Sequence, residues 1–202
     1  MRLYILRHGQ TNLNSEKRFQ GRMQTELNDV GIAQSEKVSE LLSERGIKFD
    51  KIYCSPLERA IKTGEIATGM TRDKFIIDED LTEIDFGINE GRKYDELQGE
   101  TGNIFLSPES YLPPEGGESL EMLKFRIKRF LKRVREENSE GNILAVTHGT
   151  AIHMMLIYMR DMELRDLWAE RVGNCNVTVV DIEGSELAIR DDLQIETDKL
   201  IK

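Results

Sequence analysis

The chain has 202 residues, 39% of them hydrophobic and 32% charged, with a formal net charge of −9 at pH 7. That is the size and composition of one soluble domain with a sizeable core. The acidic balance excludes a surface built to draw nucleic acid or anionic lipid, while a local cationic pocket is compatible with it.

The opening MRLYILRHG holds an apolar run too short for a signal peptide's core, and no later stretch has the length of a membrane span. A cytoplasmic protein without membrane contact is therefore expected. Leu3 to Leu6 is a short apolar strand that runs straight into Arg7, His8 and Gly9. Gly31 to Arg45 has helical spacing, with Val38, Leu41 and Leu42 on one side and Gly46 as its stop. Lys51 to Cys54 reads as a second strand and Pro56 to Ala67 as a second helix, with Pro56 suited to the first turn. Phe75 to Asp78 is a short third strand. From Gly91 to Gly117 the periodicity dissolves among prolines and glycines, as in functional loops. Phe105, Leu106, Tyr111 and Leu112 there predict a lid, around residues 92–117, that packs over something.

Glu118 to Glu136 carries Leu120, Leu123, Ile127, Phe130, Leu131 and Val134 on one helical stripe. Ile143 to Val146 is a strand that ends, like the first, in a polar residue, a histidine and a glycine: Thr147-His148-Gly149. A helix from Thr150 to Met159 follows, then a hairpin turning at Glu183-Gly184-Ser185. Strands and helices alternate, which points to an α/β domain spanning residues 1–202. Cys54 and Cys175 fit no metal-like spacing and read as free thiols. His148 and His153 lie about 140° apart on a helix, a poor zinc pair.

Three strands thus end in reactive or charged residues: Arg7-His8-Gly9, then Cys54-Ser55-Pro56 with Arg59 close behind, then Thr147-His148-Gly149. Ligands of open α/β sheets bind beyond the carboxyl ends of the strands. If these strands are parallel, Arg7, His8, Arg59 and His148 meet at one rim, beside helix N-termini that favour an anion.

The stretches "LRHGQTNLN", "CSPLERAIKT", "LTEIDFGINEG", "EGGESLEMLKFRI" and "VTHG" follow, in order and spacing, the signatures of the histidine phosphatase superfamily. More narrowly the chain resembles its phosphoglycerate mutase-like branch, over nearly its whole length. The resemblance implies a three-layer α/β/α sandwich around a mostly parallel sheet. It also implies metal-independent transfer of a phosphoryl group through a phosphohistidine, with no cofactor and a small-molecule phosphate ester as substrate. His8 matches the nucleophile, Arg7 and Arg59 the clamp, and His148 the second histidine, a donor to a phosphoryl oxygen. Glu83 stands at the acid/base position and Asn14 at a phosphate contact, with Gln20 and the Gly149 N–H as auxiliaries. The residue types suit these roles independently. Two planar guanidiniums roughly balance a phosphomonoester dianion. A neutral imidazole can attack phosphorus, and a carboxyl beside phosphate oxygens favours its protonated form and can donate.

Asp85 and Glu90 are rivals of Glu83, and Asn14 also suits a simple turn. His153 reads as a packed or surface residue. The basic run Lys124, Arg126, Lys128, Arg129, Lys132, Arg133 and Arg135 surrounds an apolar stripe, so it reads as a solvated helix face. From Tyr94 to Leu123 there is no Lys or Arg, against Asp95, Glu96, Glu100, Glu109, Glu115, Glu118 and Glu121. A lid so acidic would repel a bisphosphorylated intermediate, and the extended insertion with paired arginines of the mutases is missing. A phosphatase of the broad-specificity or α-ribazole type is expected, tolerant of an apolar or aromatic leaving group. A cofactor-dependent phosphoglycerate mutase and a non-catalytic phosphate-binding module are the alternatives.

Overall fold

The computed structural model describes residues 1–97 and 104–197. Six strands, β1 (Arg2–Arg7), β2 (Lys51–Cys54), β3 (Ile76–Ile77), β4 (Asn142–Thr147), β5 (Val177–Glu183) and β6 (Glu186–Ile189), form one sheet. Their order is β3-β2-β4-β1-β5-β6. The first four are parallel to their neighbours, and β5 and β6 add an antiparallel flank to β1. The predicted hairpin is present, with Gly184 at φ +58 in its turn.

Strands buried on both faces read as continuous apolar runs, and the two faces here feed two cores. Leu3, Ile5, Ile143 and Ala145 pack with helices α4 (Leu120–Glu137) and α5 (Gly149–Met159). Tyr4, Leu6, Leu144 and Val146 pack instead with α2 (Asp29–Glu44) and α3 (Glu58–Thr68). The expected three layers follow from that alternation.

The predicted helices shift at their ends for local reasons. The Asn28 side chain accepts the Gly31 N–H at 2.9 Å, so α2 starts two residues before Gly31. Pro56 lies ahead of α3 rather than in its first turn, because Leu57 is still extended. Only Ile76 and Ile77 of the third strand pair, at the edge of the sheet. The four-residue helix α1 (Asn12–Ser15) was too short to show as periodicity and is held by a capping box between Thr11 and Asn14.

Arg126 does not belong to a solvated face. It is buried, its Nε and Nη2 donate to Glu118 at 2.7 and 2.9 Å, and its Nη1 donates to the Asp80 and Thr82 carbonyls, each at 2.7 Å. Arg129 and Arg133 pair with Asp80 and Asp78, whereas Lys128 and Lys132 are exposed as predicted. Arg126→Met is expected to destabilise the fold by about 3–5 kcal/mol, because it leaves the buried Glu118 carboxylate with only the longer Arg22 contact at 3.4 Å and removes the donors to the Asp80 and Thr82 carbonyls. Urea unfolding measures this, and a loss below about 1 kcal/mol would mean the pair contributes little beyond a surface bridge.

Register sets the rim. Arg7 lies opposite Thr147, and Cys54 opposite Val146, so His8, His148 and Ser55 leave the sheet side by side. The start of α2 closes against the same turn: a Cβ on Gly9 would sit 2.5 Å from the Gly31 carbonyl, and one on Gly31 2.1 Å from that of Gln10. No side chain fits at either position.

Candidate active site

His8 is buried at the tip of β1. Its N–H donates to the Thr147 carbonyl at 3.0 Å, and the next amide, Gly9 N–H, donates to Thr63 Oγ1 at 2.9 Å. Its Nδ1 lies 2.7 Å from the Gly9 carbonyl. A carbonyl only accepts, so Nδ1 carries the proton and Nε2 keeps its lone pair. Burial first, then the Arg59 and Arg7 charges, hold its pKa well below the ordinary value of 6.5.

Arg59 is fully buried in the first turn of α3. Its Nη2 donates to the Gly21 carbonyl at 2.7 Å, and Nη1 to the Met23 carbonyl at 2.7 Å and Thr25 Oγ1 at 3.3 Å. Its Nε has no hydrogen-bond partner among the described residues. Burial pulls its pKa down to about 10, which leaves it charged at neutral pH. Arg7 Nη1 donates to the Val172 carbonyl at 2.5 Å. A Cβ on Gly149 would lie 3.4 Å from Arg7 Cζ, an ordinary contact distance, so α5 begins directly against the guanidinium.

Glu83 is held by the N-terminus of α5. The Thr150 N–H donates to its Oε2 at 3.0 Å, and the Ala151 and Ile84 amides donate to Oε1 at 3.2 and 2.9 Å. Asn14 Oδ1 accepts from Thr11 N–H at 3.2 Å and from Asn174 Nδ2 at 3.3 Å. Gln20 Oε1 accepts from Thr11 and Thr25 hydroxyls at 2.9 and 3.0 Å. Both amides commit their oxygen to the protein, which leaves their N–H groups for a ligand.

These groups meet around a cavity of about 190 Å³. Arg7, His8, Asn14, Gln20, Arg59 and Glu83 line it, with Gly149 beside them. A continuous aromatic wall faces them: Phe86, Phe19, Tyr94, Phe105, Trp168 and His153, with successive ring centroids 4.6, 4.7, 4.9, 5.1 and 4.7 Å apart.

His148 is the exception among the expected site residues, since it is fully buried and off the cavity wall. Its ring centroid is 5.1 Å from that of His8, its Nε2 is 2.7 Å from Ser55 Oγ, and its Nδ1 has no partner among the described residues. Asp85 and Glu90, the rivals of Glu83, do not line the cavity; Glu90 instead accepts the Arg22 N–H at 2.7 Å.

Of the lid residues, Phe105 reaches the cavity and Tyr111 packs on the core. Leu106 and Leu112 are 79% and 70% exposed, and neither lines the cavity. Part of the predicted lid, residues 98–103, lies outside the described residues. His153 is packed as expected, but it also lines the cavity, which sequence reasoning missed. Its spacing from Gly149 and Thr150, four and three residues, was the signal that all three share a helix face.

All three histidines have lowered pKa values: His8 and His148 well below 6.5, and His153 to about 4, through burial foremost. The unfolded chain therefore takes up protons near pH 6.5 that the folded chain refuses. Stability is expected to be highest above pH 6.5 and to fall as pH drops below it, by about 1.4 kcal/mol per pH unit for each histidine. Urea midpoints measured at pH 7, 6 and 5 check this; a midpoint constant across that range would mean the histidines titrate normally in the fold.

The sequence pattern described as "Histidine phosphatase superfamily (branch 1)" matches residues 3–191. A putative phosphoserine phosphatase 2 of Hydrogenobacter thermophilus is 30% identical over 190 residues, 92% of this chain and 91% of that protein. Among solved structures, a phosphoserine phosphatase from Entamoeba histolytica in complex with phosphoserine superposes with a TM-score of 0.85 at 27% identity, covering 98% of each chain. A putative α-ribazole-5′-P phosphatase from Escherichia coli superposes with a TM-score of 0.83 at 28% identity, covering 94% of each.

Proposed function

The chain belongs to the histidine phosphatase superfamily (branch 1) and is a phosphatase of that family, and we propose that it hydrolyses small-molecule phosphomonoesters without a metal through a phosphohistidine on His8. The observation that carries this reading is the His8 ring itself. It is neutral, its proton is fixed on Nδ1 by Gly9, and it shares one cavity with two arginines and a carboxyl.

The Nε2 lone pair attacks phosphorus in line as the ester P–O bond breaks. Arg7 and Arg59 hold the phosphoryl oxygens, each contact contributing about 4 kcal/mol before desolvation. The Asn14 and Gln20 amides and the Gly149 N–H supply further donors. The 2.7 Å contact allows the Ser55 hydroxyl to donate to His148 Nε2, and in that tautomer the ring proton lies on Nδ1, the nitrogen without a partner among the described residues. As the phosphoryl group settles against His8, that N–H donates to an oxygen whose charge is growing. Glu83 supplies the carboxyl group placed to pass a proton to the leaving oxygen. Its carboxylate then takes a proton from water, whose oxygen attacks phosphorus and releases inorganic phosphate and free His8. Residues 1–202 act in this reading as one domain whose lid, around 92–117, contributes Phe105 to the aromatic wall.

Two arginines match one phosphate. No lysine lines the cavity among the described residues, so a second phosphate of a bisphosphorylated intermediate finds no counter-charge there. That supports hydrolysis over mutase chemistry better than the acidic lid does, because Glu118 in that stretch is already paired with Arg126 and Arg22.

Phosphate release in EDTA from p-nitrophenyl phosphate, α-ribazole phosphate, O-phosphoserine, and 3-phosphoglycerate primed with its bisphosphate tests the reading. Free phosphate from the esters is expected. Isomerised phosphoglycerate with little free phosphate would make the protein a mutase, and no turnover at all would make it a binding module.

A further inference from the structure

A second cavity, of about 650 Å³, adjoins the first, and the two share Arg7, His153 and Trp168. The first, smaller cavity holds the phosphate-binding groups, so a bulky alcohol carried by that phosphate extends into the second. Gln10, Gln34 and Asn174 line the second cavity, and each is anchored by one end of its amide. Gln10 Oε1 accepts from Asn28 Nδ2 at 3.0 Å, and Gln34 Oε1 accepts from the Gln10 N–H at 3.0 Å. Asn174 Nδ2 donates to the His8 carbonyl at 3.0 Å. The opposite ends, two NH₂ groups and one carbonyl, are set for a ligand.

The shared wall is equally prepared. His153 is 7% exposed, its Nδ1 has no hydrogen-bond partner among the described residues, and its ring stands edge-on to Trp168 with centroids 4.7 Å apart. Trp168 is itself fixed, its Nε1 donating to the Ile104 carbonyl at 2.5 Å. A fixed indole takes the C–H face of a ring, while the imidazole and three oriented amides take hydroxyls. Resting on the phosphomonoesterase reading above, we propose that the cleft beyond His153 and Trp168 is the leaving-group subsite and takes a neutral polyhydroxy alcohol, a sugar or nucleoside bearing the phosphate. Burial and the Arg7 charge keep His153 uncharged at neutral pH, with a pKa of about 4, so it offers a carboxylate no ion pair. Glu170 in the cleft is paired with Arg160 at 2.7 Å. Arg171 also lines the cleft, so an amino-acid phosphate is the competing occupant that the test must include.

The test compares kcat/KM for ribose 5-phosphate, adenosine 5′-monophosphate, O-phosphoserine and p-nitrophenyl phosphate in the wild type, Val30→Trp and His153→Phe. Val30 is exposed in the first turn of α2 at the edge of the cleft, so a tryptophan there obstructs the cleft without a core change. In Val30→Trp the sugar and nucleoside esters are expected to lose about tenfold in kcat/KM relative to p-nitrophenyl phosphate, through KM. His153→Phe keeps a ring against Trp168 but no ring nitrogen, and the same esters lose a similar factor. Equal changes for every ester, or none, would overturn the subsite. A wild type that prefers O-phosphoserine, with that preference lost in Val30→Trp, would overturn the neutral leaving group. Calorimetric binding of adenosine 5′-monophosphate keeps the two readings apart. Weakening by Val30→Trp in a protein without turnover would retain the subsite and reject the hydrolase.

Discussion

His8→Ala is expected to lower phosphate release by about 10⁴-fold or more, the loss that follows removal of a covalent nucleophile whose neighbours cannot replace it. The neighbours here are two arginines, which are cationic, and His148, whose Nε2 is engaged by Ser55. None of these presents a lone pair to the cavity, and Glu83, which lines it, has both carboxyl oxygens held by amide donors. The alanine variant keeps Arg7, Arg59 and Asn14, so it should still bind phosphate esters while failing to turn them over. That split separates an enzyme from a binding module, which has no turnover to lose. A second readout is covalent: wild type quenched during turnover should carry an acid-labile, base-stable phosphoryl group that the variant lacks. Residual activity within tenfold of wild type would remove His8 from the chemistry and would leave its fixed tautomer without a purpose.

The parts of this site that lay in short contiguous stretches were legible before any coordinates. Two strands with the same ending, a polar or charged residue followed by His-Gly, predicted a shared rim, and the parallel register of β1 with β4 brings His8 beside His148. Arg59 was legible because its helix begins directly behind the second of those strands. The parts that depended on distant partners were not. The basic run on α4 gave no sign that Arg126 turns inward, because Glu118 and the carbonyls of Asp80 and Thr82 reach it only through the tertiary fold. Trp168 and Tyr94 lie in segments without periodicity, so nothing local marked them for the aromatic wall. His153 looked like core because its helix is apolar all round.

Glu83→Gln isolates the proton transfer. Glutamine is nearly isosteric, but its NH₂ end cannot accept the amide hydrogen bonds that Oε1 and Oε2 receive from Ile84, Thr150 and Ala151. Some loss is therefore expected for every substrate. The informative quantity is its dependence on the leaving group. An alkoxide cannot depart without a proton, whereas p-nitrophenolate can, so alkyl phosphates should lose about 10²–10⁴-fold in the phosphorylation step and p-nitrophenyl phosphate far less. Hydrolysis of the phosphohistidine needs the same carboxyl as a base, whatever group has left. With p-nitrophenyl phosphate the variant should then release a burst of p-nitrophenol followed by a slow steady rate, and accumulate the labelled phosphoenzyme. With an alkyl ester there should be neither burst nor accumulation, because the first step is now the slow one. Equal slowing for both leaving groups, with no burst, would mean that the substitution merely disturbs the start of α5. The acid role would then pass to another carboxyl, and neither Asp85 nor Glu90 lines the cavity to receive it.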